Sequence, residues 1–294
     1  MTGLAEWLKG RQPLLLDGAM GTELDRRGVE GRCLCNLSGP RHVIAVHRDY
    51  REAGSHAVIT NTLTMNRSFI ESHRIGVDVL EVNRAGAALA REAAGPGGLV
   101  LGNLSSTGQL LEPYGPVPAA VVLEAFREQA RVLAEGGVDG FIIETMIDLR
   151  EAECALKACK EVSGLPVIVC IAFDTAQRGG RTVMGNSAEQ CVRSLTEAGA
   201  DAVGANCGGV DPAQMAEIVS RMVSISTVPV AAEPNAGLPK LVGGKTVFDM
   251  EPRSFALGLA ACAKAGATIL GGCCGTTPDH IRAFAALGAE PWLV

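Results

Sequence analysis

Aromatic residues are scarce: they make up 4% of 294 residues, with two Trp and two Tyr. That leaves poor material for the aromatic cage that recognises a quaternary ammonium. An excess of basic residues is also missing. Asp and Glu number 32 against 26 Lys and Arg, a formal net charge of −6, so no basic face is expected for neutralising nucleic-acid phosphates. No apolar run reaches the roughly 18 residues of a membrane span. The opening MTGLAEWLKGRQPLLLDG has no basic segment followed by a long apolar stretch. No secretory signal is therefore read there, and a cytoplasmic protein is expected.

What is present fits a folded globule: hydrophobic residues are 47% and charged residues 20%, which excludes a disordered or fibrous chain. Gly is plentiful, at 36 residues, which calls for many tight turns. Roughly 150 residues per domain suggests two domains, but α/β barrels run longer than that as one unit. No composition shift or linker divides the chain, so residues 1–294 are read as a single domain.

Eight short apolar runs recur at Leu14–Leu16, Ala57–Ile59, Leu99–Leu101, Phe141–Ile143, Val167–Ile171, Ala202–Val203, Val228–Ala231 and Thr268–Leu270. Stretches of helical spacing lie between them, among them Ala119–Glu135, Leu149–Val162, Ala188–Ala198, Pro212–Met222, Pro252–Ala265 and Pro278–Leu287. That alternation predicts a parallel sheet buried on both faces. A weak repeat supports it. Glu52-Ala53-Gly54, Glu135-Gly136-Gly137, Glu197-Ala198-Gly199 and Lys264-Ala265-Gly266 each close a helical stretch shortly before a strand, with Gly as a left-handed cap. The expected fold is a (β/α)8 TIM barrel. The alternative, a doubly wound open sheet, usually carries a phosphate fingerprint, and no GxGxxG is found. Gly243-Gly244-Lys245-Thr246 resembles the end of a phosphate loop, but the first glycine of GxxxxGK would fall on Pro239. That stretch is read as an ordinary loop.

Active sites of such barrels lie at the carboxyl ends of the strands. There the sequence places Asp17-Gly18-Ala19, Asn61, Asn103, Glu144-Thr145, Asn206-Cys207-Gly208, Glu233-Pro234-Asn235 and Gly272-Cys273-Cys274-Gly275. Ten cysteines are many for a reducing compartment. Cys154, Cys159, Cys170, Cys191 and Cys262 sit in apolar patterns and read as core. Cys33 and Cys35 form a C-x-C pair without the usual C-x-x-C spacing. Cys207, Cys273 and Cys274 each follow a strand end, and a closed barrel brings the sixth and eighth strands within one strand of each other. Three converging thiolates suit zinc and leave its fourth position open, the mark of a catalytic ion. Simple burial of the three, or a vicinal disulfide at Cys273–Cys274, are the competing readings. A substrate thiol entering the open position becomes a thiolate at neutral pH, well below its usual pKa near ~8.5. That zinc-bound substrate thiolate would be the catalytic group, with no protein nucleophile. None of the five histidines directly follows a strand end, and no Ser/His/Asp arrangement is visible.

GANCGG around Cys207, GGCCGTTPDHI around Cys273 and Cys274, and the opening LLLDGAMGTEL resemble the homocysteine S-methyltransferase family. The likeness continues through ITNT (Ile59–Thr62), STGQLLEPYG (Ser106–Gly115), IIET (Ile142–Thr145), GRTVMG (Gly180–Gly185) and EPNAGLP (Glu233–Pro239). EPNAGLP and GGCCGTTP are typical of the homocysteine-binding module of cobalamin-dependent methionine synthases. The resemblance implies a zinc-dependent barrel that methylates homocysteine to methionine. By it, Cys207, Cys273 and Cys274 are zinc ligands, with Asn235 a fourth when substrate is absent. Asp17 and Glu144 hold the amino group of homocysteine, and the N–H groups near Gly18 and Ala19 hold its carboxylate. Read from the residues alone, Asp17 also suits a helix cap, Glu144 a salt bridge in the mouth and Asn235 a turn after Pro234.

The length leaves no room for a folate-binding barrel or a cobalamin domain, so the methyl donor is expected to be a separate molecule. Thr145 stands where the betaine-using branch has a tyrosine. That favours a methylated corrinoid on a partner protein, with S-methylmethionine next and betaine behind. Two other classes remain open on the residues: a non-catalytic thiol-binding module, and a lyase or aldolase on the same barrel. The latter usually needs a Schiff-base lysine at a strand end, and none of the eight runs ends in Lys.

Overall fold

The computed structural model describes residues 3–10 and 13–288. Its strands are β1 Leu14–Leu15, β2 Ala57–Ile59, β3 Leu99–Leu104, β4 Gly140–Met146, β5 Val167–Ile171, β6 Ala202–Asn206, β7 Val230–Glu233, β8 Lys240–Val242, β9 Lys245–Val247 and β10 Ile269–Leu270. Eight of them form one parallel sheet in the order β1-β10-β7-β6-β5-β4-β3-β2. Helices such as Pro40–Glu52, Val79–Ala94, Ala119–Glu135, Leu149–Val162 and Pro212–Ile225 wrap its outer face. The chain is a single-domain (β/α)8 barrel. Its seam is light. Among the described residues no ladder joins β1 to β2; His56 N–H donates to Leu15 O at 2.7 Å, Leu15 N–H donates to His56 Nδ1 at 3.0 Å, and Ile59 N–H donates to Asp17 Oδ2 at 3.0 Å.

Strand residues alternate between two apolar layers. Leu15, Val58, Val100, Phe141, Ile143, Val169, Val203 and Leu270 face outward into the layer shared with the helices. Leu14, Leu16, Ala57, Ile59, Leu99, Leu101, Ile142, Ile168, Ala202, Ala231 and Ile269 fill the barrel interior. The period of two is that of a pleated strand. Burial on both faces explains why the runs are apolar throughout rather than alternating with polar residues. Leu4, on the short helix Leu4–Lys9, joins the interior layer and closes the amino-terminal end.

The four helix-ending glycines behave as the repeat requires. Gly54, Gly137, Gly199 and Gly266 have φ of 110°, 77°, 92° and 104°, values that cost other residues strain. One expectation is corrected. The stretch around Gly243-Gly244, read as a loop, is the turn of the antiparallel hairpin β8–β9. Gly243 and Gly244 both have positive φ, 57° and 78°, the pairing that a two-residue hairpin turn demands. No described helix is long and apolar enough to cross a membrane.

Candidate active site at the barrel mouth

The interior rows do not stay apolar. Continuing the inward alternation, Leu99 and Leu101 lead to Asn103, Ile142 to Glu144, Ala202 to Asn206 and Ala231 to Glu233. These four are 5%, 7%, 0% and 1% exposed. A cavity of about 820 Å³, counting the space at its open end, is lined here by Gly18, Ala19, Asn103, Glu144, Thr145 and Glu233, with Cys207, Cys273 and Cys274.

The order β10-β7-β6 brings the three cysteines to one side. Their sulfurs all lie within 4.8 Å of one another, and Cys207 Sγ is 3.9 Å from Cys274 Sγ. Zinc–sulfur bonds of about 2.3 Å place tetrahedron corners about 3.8 Å apart, so the spacing fits that ion. Three thiols here can hold a metal ion. Cys207 sits at φ 53°, a left-handed conformation that turns its side chain off the end of β6. The next residue must be glycine, because a Cβ on Gly208 would fall 2.2 Å from Phe173 O. Hydrogen bonds from Cys273 and Cys274 draw the Cys207 thiol down to about 3. The same contacts push Cys273 upward and Cys274 up to about 12. Hydrogen bonds shared within the cluster therefore favour a thiolate among the three sulfurs.

Asn235 donates from Nδ2 to Gly208 O at 3.1 Å, while its Oδ1 is buried without a partner. An orphaned oxygen beside the thiol-bearing turn is an available donor, and the turn reading alone does not account for it. Asp17 is no helix cap. Its Oδ2 accepts from Ile59 N–H across the seam, and its Oδ1 is buried and unpartnered. It stands one layer behind the cavity wall. His47 Nδ1 is 3.8 Å away, and burial raises the Asp17 carboxyl against that neighbour. Glu144 takes part in no ion pair among the described residues. Burial raises it to about 8, with the nearby Asp17 and Cys207 charges adding to the shift and the Asn103 amide opposing it. Thr145 has φ 60°, strain of order 1–3 kcal/mol for a residue of its kind.

Asn206 explains how that strain is held. Thr145 N–H donates to Asn206 Oδ1 at 2.8 Å. Asn206 Nδ2 in turn reaches Glu144 Oε2 at 3.1 Å, Thr145 Oγ1 at 2.9 Å and Cys273 Sγ at 3.7 Å. Glu233 accepts from the Cys170 thiol at 3.6 Å, and burial pushes its carboxyl well up. The sequence places Asn206 and Glu233 at strand ends but assigns neither a role, although the inward parity of β6 and β7 points both into the mouth. Ala19 N–H is already engaged, donating to Thr276 Oγ1 at 2.9 Å. Of the other cysteines, Cys159, Cys170, Cys191 and Cys262 are buried and Cys154 is half-buried. Cys33 touches the cavity rim, and Cys35 packs beneath it against Glu30 O. Tyr114 is 70% exposed, stacked under Arg150 outside the cavity.

Fold and site together define a barrel that gathers three thiols and buried carboxyls at the carboxyl ends of its strands. The family model of homocysteine S-methyltransferases matches residues 14–287. Methionine synthase of Mycobacterium tuberculosis is 33% identical over 296 residues, covering 93% of this chain and 24% of that protein. Methionine synthase of Mycobacterium leprae is 33% identical over 311 residues, covering 98% and 25%. The chain thus spans about a quarter of the length of these relatives. Among solved structures, the metallated form of the homocysteine methyltransferase MmuM from Escherichia coli superposes with a TM-score of 0.76 at 22% identity, over 96% of this chain and 98% of that one. The carboxyl transferase domain of Rhizobium etli pyruvate carboxylase has a TM-score of 0.57 at 16% identity, over 99% and 46%. Both likenesses are of fold. The chain belongs to the homocysteine S-methyltransferase family.

Proposed function

We propose that this barrel transfers a methyl group to the thiol of homocysteine, giving methionine, with zinc held by Cys207, Cys273 and Cys274 and the Asn235 amide oxygen as fourth donor before substrate arrives. The observation that carries the reading is the convergence of three sulfurs on the wall of a cavity also lined by the buried acids Glu144 and Glu233. Held there, the ion would supply Lewis acidity that favours the deprotonated form of an incoming thiol.

The chain's own residues orient the rest. Glu144, aimed by Asn206 and backed by Asp17, meets the substrate ammonium, and Thr145 sets the Glu144 backbone. The ammonium favours the ionised carboxyl that burial alone disfavours. Gly18 offers its N–H to the carboxylate, while Ala19 shapes the same turn through Thr276. In the transfer an S–C bond forms, the donor–methyl bond breaks, and its electron pair stays with the donor.

For the donor we propose a methylated corrinoid carried by a separate protein or domain. No Phe, Tyr or Trp lines the cavity, so a cage for betaine is missing from the described residues. The test is a methyl-transfer assay with homocysteine against methylcobalamin, methylated corrinoid protein, S-methylmethionine, betaine and S-adenosylmethionine, with metal analysis of the reduced protein. Expected are about one zinc per chain and turnover with the corrinoid donors. Homocysteine binding without transfer from any donor would leave a thiol-binding module instead. Turnover with S-methylmethionine alone would replace the donor and keep the chemistry.

A further inference from the structure

The turn Asp17–Thr22 and the loop Gly271–Thr276 come from opposite ends of the sequence and meet at one side chain. Thr276 is 1% exposed. Its Oγ1 accepts from Ala19 N–H at 2.9 Å and donates to Cys273 O at 2.7 Å. Its backbone N–H donates to the same Cys273 oxygen at 3.1 Å. The Tyr50 hydroxyl, from helix Pro40–Glu52, lies 2.9 Å from Ala19 O and 3.0 Å from Thr276 O. Around this junction, Gly272 N–H donates to Asp17 O at 3.0 Å, and Gly275 N–H to Thr22 Oγ1 at 3.0 Å.

Two glycines make room for it. A Cβ on Gly18 would fall 2.6 Å from Thr276 Oγ1 and 2.8 Å from Tyr50 OH, and one on Gly272 would fall 2.6 Å from Thr276 Cγ2. The threonine is wedged between the residue before Ala19 and the residue before Cys273. One hydroxyl thus uses both its donor and its acceptor capacity to fix the substrate-facing turn against a thiol-bearing residue.

We propose that Thr276 is a positioning residue, which together with Tyr50 sets the place of Cys273 relative to the Gly18–Ala19 turn. This rests on the metal and homocysteine reading of the same site. Its hydroxyl holds the Cys273 carbonyl, so the side chain of that residue is presented at one distance from the turn that receives the substrate. Losing the hydroxyl frees Ala19 N–H and lets the Cys273–Cys274 pair drift from Cys207.

Thr276→Val removes the hydroxyl and keeps the shape, whereas Thr276→Ser keeps the hydroxyl. Zinc affinity is measured by competition with a chromophoric chelator on the reduced, metal-free protein. Outer partners of metal ligands commonly contribute about 10–100-fold to affinity, so Thr276→Val is expected to bind zinc that much more weakly and to show a raised KM for homocysteine. Thr276→Ser is expected to stay close to the wild type. A residue that only stabilised the fold would lower the metal-free Tm and leave zinc affinity and KM of the folded molecules unmoved. Should Thr276→Val not fold, Tyr50→Phe carries the test, with a several-fold loss of zinc affinity expected. A wild-type protein with no zinc affinity overturns both the functional reading and this one. A wild-type protein that binds zinc and a variant equal to it overturn the positioning role alone.

Discussion

At the amino-terminal end of the strands, Leu4, Leu14, Ala57 and Ile168 meet in an apolar plug inside the barrel. At the carboxyl end the same inward rows carry Asn103, Glu144, Asn206 and Glu233. The lower end gains from burying surface that needs no partner. The upper end holds buried polar atoms that still lack one, among them Asp17 Oδ1, Asn103 Oδ1 and Asn235 Oδ1, and residues in left-handed backbone, Thr145 and Cys207. Unsatisfied groups and strain cost stability. They gather at the end where the proposed function places a ligand, and the plug below offsets their cost.

This contrast is open to direct attack. Cys273→Ala should cause the largest loss. Metal affinity is expected to fall by more than the roughly 100-fold upper range of an outer partner, with methyl transfer abolished. Metal-free Tm should stay near the wild type, because a chain of this size buries a sufficient core without an ion. Metal analysis and thermal denaturation check both halves. Leu4→Ala is the converse. It should remove about 2–5 kcal/mol of stability, read by urea unfolding, while the folded fraction keeps its KM and kcat. A lowered kcat at full folding would show that the two ends are not separable.

Asn206→Ala sharpens the picture inside the mouth. Loss of the amide that aims Glu144 and touches Cys273 is expected to lower kcat/KM for homocysteine by about 10–100-fold. It should matter less for a thiol that lacks the amino group. The smallest effect is expected at the seam. Burial and the Arg51 charge lower His56 from its ordinary 6.5, so its neutral ring favours the fold above that pH. This contribution is lost as pH falls through the lower folded value, when protonation removes the acceptor for Leu15 N–H. Acid unfolding curves should show a shallow drop there that His56→Gln flattens.

Much of this was legible along the chain. The eight runs and the four capping glycines announced the barrel because burial on both faces and left-handed caps leave local marks. Cys207, Cys273 and Cys274 stood out because thiols directly after strands are chemically conspicuous, and barrel closure then dictated their meeting. The role of Asn206 was harder to read, since an amide in a strand does not declare which of its neighbours it will hold. Thr276 was hidden for a different reason. Its partners Ala19 and Tyr50 lie more than 200 residues away, and no local pattern encodes such a contact. The hairpin β8–β9 was missed because the strands flanking Gly243-Gly244 are short and solvent-facing, without a core period.

The light fastening between β1 and β2 has its own outcome. A sheet rolled into a cylinder must be stitched along one line, and here that line depends on an imidazole and a carboxylate more than on peptide groups. Amide protons of Leu15 and Ile59 should therefore exchange ahead of those in the β3–β6 ladders. An amino acid held at Glu144, which Asp17 backs, would slow them. Occupancy of the mouth would then be readable as a tightening of the whole cylinder.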